Sequence, residues 1–162
     1  MIPSLRSLGG EDGSSTVETA LASLIFLAIL IGTYQAMLGL YTFHFLSDVA
    51  REASRYAMVR GSTSCTNTPN LSNCNATSGQ IQTFVRGLGY PGIKKGNLTV
   101  TTTWLASSGS VPATWSACTT GACNAPGNMV NIVATYAFPL SVPFAPRLTI
   151  NLSSTSKMVI SQ

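Results

Sequence analysis

Acidic side chains are scarce: the chain holds five, and not one Asp or Glu follows Glu52. Arg55, Arg60, Arg86, Lys94, Lys95, Arg147 and Lys157 all lie beyond that point, so the formal net charge of +4 understates how basic the C-terminal part is. Hydrolysis by paired carboxylates needs two acids in one cleft, and oxygen-ligated cation sites need carboxylates as well. Histidine is equally scarce. The only one, His44, sits at the end of an apolar stretch, away from any expected cleft. A Ser-His-Asp arrangement therefore has neither its base nor its acid in the distal region. No catalytic residue, cofactor or metal is expected, and the composition argues against an enzyme. The cations are scattered rather than interleaved with aromatics, so no specific nucleic-acid surface is expected either. A basic field of this kind attracts anionic lipid, acidic polysaccharide or an acidic protein.

Charge of both signs is missing between Glu18 and Asp48, where the chain reads TALASLIFLAILIGTYQAMLGLYTFHFLS. About 20 apolar residues cross a bilayer's hydrocarbon as a helix, and residues 20–40 meet that length as a single transmembrane span. Tyr34, Tyr41 and Phe43 gather toward one end, as an interfacial aromatic belt does. A cleavable secretory signal would be shorter and end in a small-residue cleavage site, whereas here the helical pattern continues. Past Leu46, Val49, Ala53, Tyr56 and Ala57 share one helical face, while Asp48, Arg51 and Arg55 occupy another. Gly61 is placed to stop the helix. One helix over residues 15–60 would be about 70 Å long, apolar all round at first and amphipathic afterwards. Ala28, Gly32 and Ala36 recur every four residues with Gly39 close by, a spacing that lets another helix approach closely.

The start of that helix carries a short signal. Gly13-Ser14-Ser15-Thr16-Val17-Glu18 directly precedes the apolar run, and an acid at the mouth of a membrane helix is costly when buried. Gly, four residues, Glu and an apolar run resemble the processing region of type IV pilin precursors. With DVAREASRYA included, the stretch from Gly13 to Arg60 resembles the TadE-like family of pilus assembly proteins. The resemblance implies a leader over residues 1–13, a cut by a prepilin peptidase between Gly13 and Ser14, and retention of Glu18. In such an arrangement Glu18 neutralises the new α-amino group of a neighbouring subunit inside the bilayer.

Residues 61–162 read as a small α+β domain. Residues 62–78 and 106–128 are loops rich in turn formers, each holding two cysteines: Cys65 and Cys74, then Cys118 and Cys123. A short helix is expected over residues 80–88 with Ser78 as its cap, ended by Gly89-Tyr90-Pro91-Gly92. Alternation predicts strands over 98–104, 130–138 and 148–152, with a last short one over 157–160. Leu98, Val100, Trp104, Ile132, Tyr136, Ile150, Val49 and Tyr56 are the expected core. The expected fold is thus α+β and pilin-like: a long N-terminal transmembrane helix, continuing as an amphipathic helix packed on a small antiparallel sheet. Four cysteines allow three pairings. Local pairing within each loop needs no assumption about the fold, crossed pairing would tie the loops together, and a four-cysteine zinc site lacks the usual two-residue knuckle.

Orientation is read from two opposed signals. Arg51, Arg55 and Arg60 follow the span and only Arg6 precedes it, which taken alone places the C-terminus in the cytoplasm. Four cysteines in a small Ser/Thr/Asn-rich domain suit an oxidising compartment, and on that ground the domain is expected outside. The expected protein is a minor pilin or pseudopilin of a tight-adherence pilus in a bacterial inner membrane, with its domain periplasmic or extracellular. Its implied partners are the major pilin, other minor pilins or assembly-platform proteins, the prepilin peptidase and inner-membrane lipid. The alternative is a non-polymerising, membrane-anchored adhesin or receptor with a basic ligand-binding domain.

Overall fold

The computed structural model describes residues 11–109, 112–141 and 146–161, with side chains from residue 13 onward. Most of the expected leader, including Arg6, lies outside the described residues. A single helix, α1 (Glu11–Met58), leads into two short helices, α2 (Ser64–Asn67) and α3 (Ser78–Gly87), and a 3-10 turn at Lys95–Asn97. Four strands follow: β1 (Leu98–Ser107), β2 (Trp115–Ala117), β3 (Met129–Leu140) and β4 (Leu148–Val159). They form one antiparallel sheet in the order β2-β1-β3-β4. The protein is α+β, a long N-terminal apolar helix followed by a small antiparallel sheet.

The second half of α1 lies across β3 and β4, and α3 packs between α1 and β1. The helix buries Phe45, Leu46, Val49, Ala50, Ala53 and Ala57, spaced by three and four residues as one helical face requires. Three of these are alanine, so the sheet backbone approaches closely. Where it does, the contact is polar: the Ser54 hydroxyl bonds the Arg51 carbonyl at 2.8 Å and meets the Ser156 hydroxyl at 2.8 Å. Ser47 and Ser154 repeat this contact lower on the same pair of elements, at 3.3 Å. Every second residue of β3, namely Val130, Ile132, Ala134, Tyr136 and Phe138, is buried. Leu98 and Val100 of β1 and Ile81 and Val85 of α3 complete the core, with Trp104 and Tyr56 half-buried at its margin.

Several expectations are corrected. α1 begins at Glu11 and ends at Met58, so the helix is shifted toward the N-terminus relative to residues 15–60. The cap of α3 is Thr77, not Ser78: Thr77 Oγ1 accepts from the Gln80 amide, and the Gln80 side chain accepts from the Thr77 amide in return. The stretches 148–152 and 157–160 belong to one strand, β4, because Ser153 to Ser156 pair continuously with Ile132 to Thr135. The loop over 106–128 contains β2, which pairs with the end of β1. Ile150 is not core. It is 45% exposed, because β4 is the edge strand and the helix at that level lies over Tyr136 and Phe138.

The contrast between Ile132 and Ile150 is measurable. Ile132→Ala is expected to lower stability by about 2–5 kcal/mol, as a cavity at a fully buried site does. Ile150→Ala should cost less than about 1 kcal/mol. Urea unfolding of the detergent-solubilised full chain, followed by tryptophan fluorescence, compares them, and equal losses would contradict the observed facing of β4.

Candidate functional site

Among the described residues the first half of α1 has no protein neighbour outside its own helix. Among its large apolar side chains Val17, Leu21, Ile25, Phe26 and Ile29 are 60–62% exposed, and the most apolar window of the helix is wholly uncovered, with a mean hydropathy of 2.0. Leaving such side chains in water forfeits about 1.5–3 kcal/mol each, so this half-helix belongs in lipid or against other helices. It is long and apolar enough to be a candidate membrane span.

Its polar residues are arranged accordingly. The hydroxyls of Thr19, Ser23 and Thr33 donate to the carbonyls of Ser15, Ala20 and Ile29 at 2.8–2.9 Å. Each hydroxyl is thus satisfied within its own helix, as an apolar solvent demands. Gln35 is the first residue tied to the domain: its Nε2 donates to the Ser141 carbonyl at 3.2 Å. Leu38 packs on the core, and the Tyr41 hydroxyl donates to the Pro91 carbonyl at 3.3 Å.

The domain thus reaches the upper end of the expected 20–40 stretch, where Leu38 packs on the core while Met37 and Leu40 stay exposed. Residues 36–40 stand level with the lower edge of the sheet, and hydropathy alone could not tell a lipid-facing Leu from one facing a sheet. Glu18 stands where the uncovered apolar run begins, directly after Gly13-Ser14-Ser15-Thr16-Val17. It is exposed, and among the described residues it has no hydrogen-bond or ion-pair partner. Gly13 and Ser14 lie one turn below it, inside the first turns of α1, and a Cβ at Gly13 would touch nothing. Ala28, Gly32, Ala36 and Gly39 run up the helix above it, and Gly32 and Gly39 likewise have no atom within 4 Å of a built Cβ.

At the other end of the molecule the cysteines form two disulfides, Cys65–Cys74 with Cα atoms 4.9 Å apart and Cys118–Cys123 with Cα atoms 5.5 Å apart. Each closes its own loop. The two loops are joined instead by hydrogen bonds, from the Ser62 amide to the Asn124 carbonyl at 3.0 Å and between the side chains of Asn124 and Asn75. Below the first loop Tyr56 stacks on Phe84 at 4.1 Å, and the Arg60 guanidinium lies 3.8 Å above the Tyr56 ring. Asp48, Arg51, Glu52 and Arg55 line one cleft on the outer face of α1 with Leu88 and Tyr90. Burial, reinforced by Asp48, Glu52 and Tyr41, pushes the Tyr90 phenol above its ordinary value, so it stays a neutral ring edge-on to Phe45. His44 is exposed beside Phe43, and among the described residues no three His, Cys, Asp or Glu side chains are grouped as a metal site needs.

The structure therefore brings Gly13, Ser14 and Glu18 together on successive turns, continues them into the small-residue stripe, and keeps the cysteines far above. Sequence reasoning missed Gln35, and read Tyr41 as a belt residue and Lys94 as one of several scattered cations; all three mark where helix meets domain. The amide of Gln35, alone in an apolar run, was the available signal.

These features define a helix-anchored α+β protein, its helix free over one half and roofed by a sheet over the other. Residues 13–55 match the family model of TadE-like proteins, a match that covers α1 nearly to its end and none of the sheet. No curated protein and no solved structure matches the chain.

The disulfides make a separate expectation. Replacing Cys65 and Cys74 together by Ser should lower stability by about 2–3 kcal/mol through the freed loop. The unreduced full chain should take up no maleimide until a reductant is added. Labelling without reductant would contradict the pairing.

Proposed function

We propose that this chain is a minor pilin or pseudopilin-type component of a tight-adherence pilus, held in a bacterial inner membrane by α1 with its sheet domain outside the cytoplasm. The observation that carries the reading is the TadE-like match over residues 13–55, which takes in Glu18 at the start of the uncovered apolar helix. An ionised carboxylate in hydrocarbon is expensive and calls for a partner. A prepilin peptidase cutting between Gly13 and Ser14 would create one, the α-amino group of Ser14. The first turn of a helix has amides with no intrahelical acceptor, so opening it to a peptidase costs little.

The assembly mechanism is helix packing. The stripe Ala28, Gly32, Ala36 and Gly39 admits a second apolar helix at short range, and Glu18 sets the axial register by pairing with a neighbour's amino terminus. The partners are the major pilin, other minor pilins or assembly-platform proteins. A structural role suits a domain whose charges are cationic beyond Glu52. The two disulfides favour the oxidising side of the membrane.

The test is the intact mass and N-terminal sequence of the protein taken from its native membrane without reductant. The expected chain begins at Ser14 and is lighter by the leader and by four thiol hydrogens. Glu18→Ala should still be cut yet lose at least about tenfold in recovery with sheared pili, an unpaired buried charge being worth several kcal/mol. A chain that still begins at Met1 would sink the pilin reading and leave a permanently anchored adhesin or receptor.

A further inference from the structure

A cavity of about 570 Å³ opens where the end of α1 meets α3 and the loop closed by Cys65–Cys74. Its walls include Tyr56, Arg60, Asn73, Gln80, Thr83 and Phe84. At 1.5 Å per residue along the helix it stands about 30 Å above Gln35, well clear of the uncovered run.

The polar side chains of these walls are tied to one another. Gln80 Oε1 accepts from the Thr77 amide at 2.9 Å, Gln80 Nε2 donates to Asn73 Oδ1 at 3.1 Å, and Asn73 Nδ2 donates to the Tyr56 hydroxyl at 3.4 Å. Asn73 is the one non-glycine residue with a positive φ among the described residues, at 53°. Asparagine tolerates that region better than most side chains, and here it turns its amide toward Tyr56. The disulfide at Cys74 and the bond from the Ala76 amide to the Arg60 carbonyl, at 3.1 Å, fix this wall in advance of any ligand.

What the walls leave unused is of one kind. The Tyr56 hydroxyl accepts from Asn73, and its own proton has no acceptor among the described residues. Arg60 spends Nε and Nη1 on the carbonyls of Ser72 and Tyr56, at 3.3 and 3.4 Å, which leaves Nη2 unpaired among the described residues. The amide nitrogens of Asn73 and Gln80 each keep a second hydrogen. No acid lines the cavity among the described residues. The Arg60 guanidinium lies against the Tyr56 ring, and Phe84 stacks on the same ring, so the cation is held at a fixed place beside an aromatic pair.

We infer that this cavity binds a uronic-acid unit of an acidic polysaccharide. Its carboxylate takes Arg60 Nη2 and the Tyr56 hydroxyl, and its ring hydroxyls take the amides of Asn73 and Gln80. Thr83 Oγ1, which donates to the Gly79 carbonyl at 2.9 Å, is left as an acceptor for a further hydroxyl. The C–H face of the sugar lies against Phe84, whose ring face is electronegative. Two observations select a sugar over an acidic peptide. The cavity has the size of a small-ligand site, and its walls are two helices and a closed loop, with neither a strand edge nor a long groove to read a peptide. The groups around the cation are amides and a hydroxyl, which donate and accept as ring hydroxyls do. The basic field beyond Glu52 draws such a polyanion toward the domain. Binding needs only the folded domain, so it stands or falls apart from cleavage of the leader and from pilus assembly.

Calorimetry and saturation-transfer NMR of the full chain in detergent, with a galacturonate trimer as the probe, test this. Wild type should bind the trimer, with saturation passing to the ring C–H protons. The fully methyl-esterified trimer should bind about 10- to 100-fold more weakly, as the loss of a charge-assisted hydrogen bond requires. Arg60→Gln should abolish the preference for acid over ester. Because Arg60 also packs on Tyr56, a second variant keeps the fold: Asn73→Asp tolerates the same φ, sits at an exposed position and places an acid in the cavity. It should unfold at the temperature of wild type and bind the trimer at least about tenfold more weakly. No binding by wild type, equal binding of acid and ester, full binding by folded Asn73→Asp, or equal binding of a glutamate tripeptide would each overturn the assignment.

Discussion

α1 is one unbroken helix in two solvents, and the point at which it passes from one to the other governs the rest of the molecule. Below Gln35 its side chains have no neighbour outside the helix among the described residues; above it they are progressively roofed by β3 and β4. A continuous helix is stiff over this length, so the residue at which the sheet first grips it sets the height of everything else. It sets how much of the helix below is left uncovered. It also sets that the end of the sheet at Leu140 and Leu148, rather than the disulfide-closed top, stands nearest the free helix. The grip itself depends on small residues. Ala50, Ala53, Ser54 and Ala57 bring the sheet close enough for Ser54 to meet Ser156 directly. A large side chain at any of these positions would lift the sheet and break a buried polar contact at the same time.

That same contact explains what could and could not be read from the residues in order. The helix was legible because its apolar positions repeat at 3.6 residues, and Val49, Ala53 and Ala57 lie on the buried face as that period requires. β3 was legible because Val130, Ile132, Ala134, Tyr136 and Phe138 alternate strictly. β4 was not. Its inward residues across the middle of α1 are Ser154 and Ser156, which look solvent-facing until Ser47 and Ser54 are seen opposite them. Ile150 looks like core and is not, since facing the correct side does not help where no helix lies above. β2 is too short to show alternation, and it exists only because β1 has an edge for it to join. Thr77 and Ser78 can each cap a helix. Gln80, three residues after Thr77, decides between them, and that signal was present in the sequence.

The candidate site was legible in part. Glycine, four residues, glutamate and an apolar run are visible without any structure, and so are the small residues above them. The upper end of the uncovered helix was not, because an apolar window says only that water is disfavoured. Leu38 and Phe45 are as apolar as Leu24 and Ile25, yet the first two face a sheet. Deciding where the uncovered helix ends required a tertiary contact, and the hydrogen bond from Gln35 to Ser141 supplies it.

The place of Glu18 at the start of the uncovered helix bears on its chemistry. In the proposed processed form the α-amino group of Ser14 lies four residues before Glu18, the spacing at which two side chains on one helix meet. An isolated subunit in the bilayer can therefore neutralise Glu18 with its own terminus. Assembly then exchanges one pairing for another, within the chain for between chains, and no bare charge enters the hydrocarbon at any stage. The positive terminus also sits at the end of a helix whose dipole disfavours it. The terminus of an adjacent helix meets the same opposition from its own dipole, so the dipole does not choose between the two pairings. In that proposed form Glu18 holds a subunit ready with its charge paired, and what favours the exchange on assembly is the helix packing that comes with the new partner.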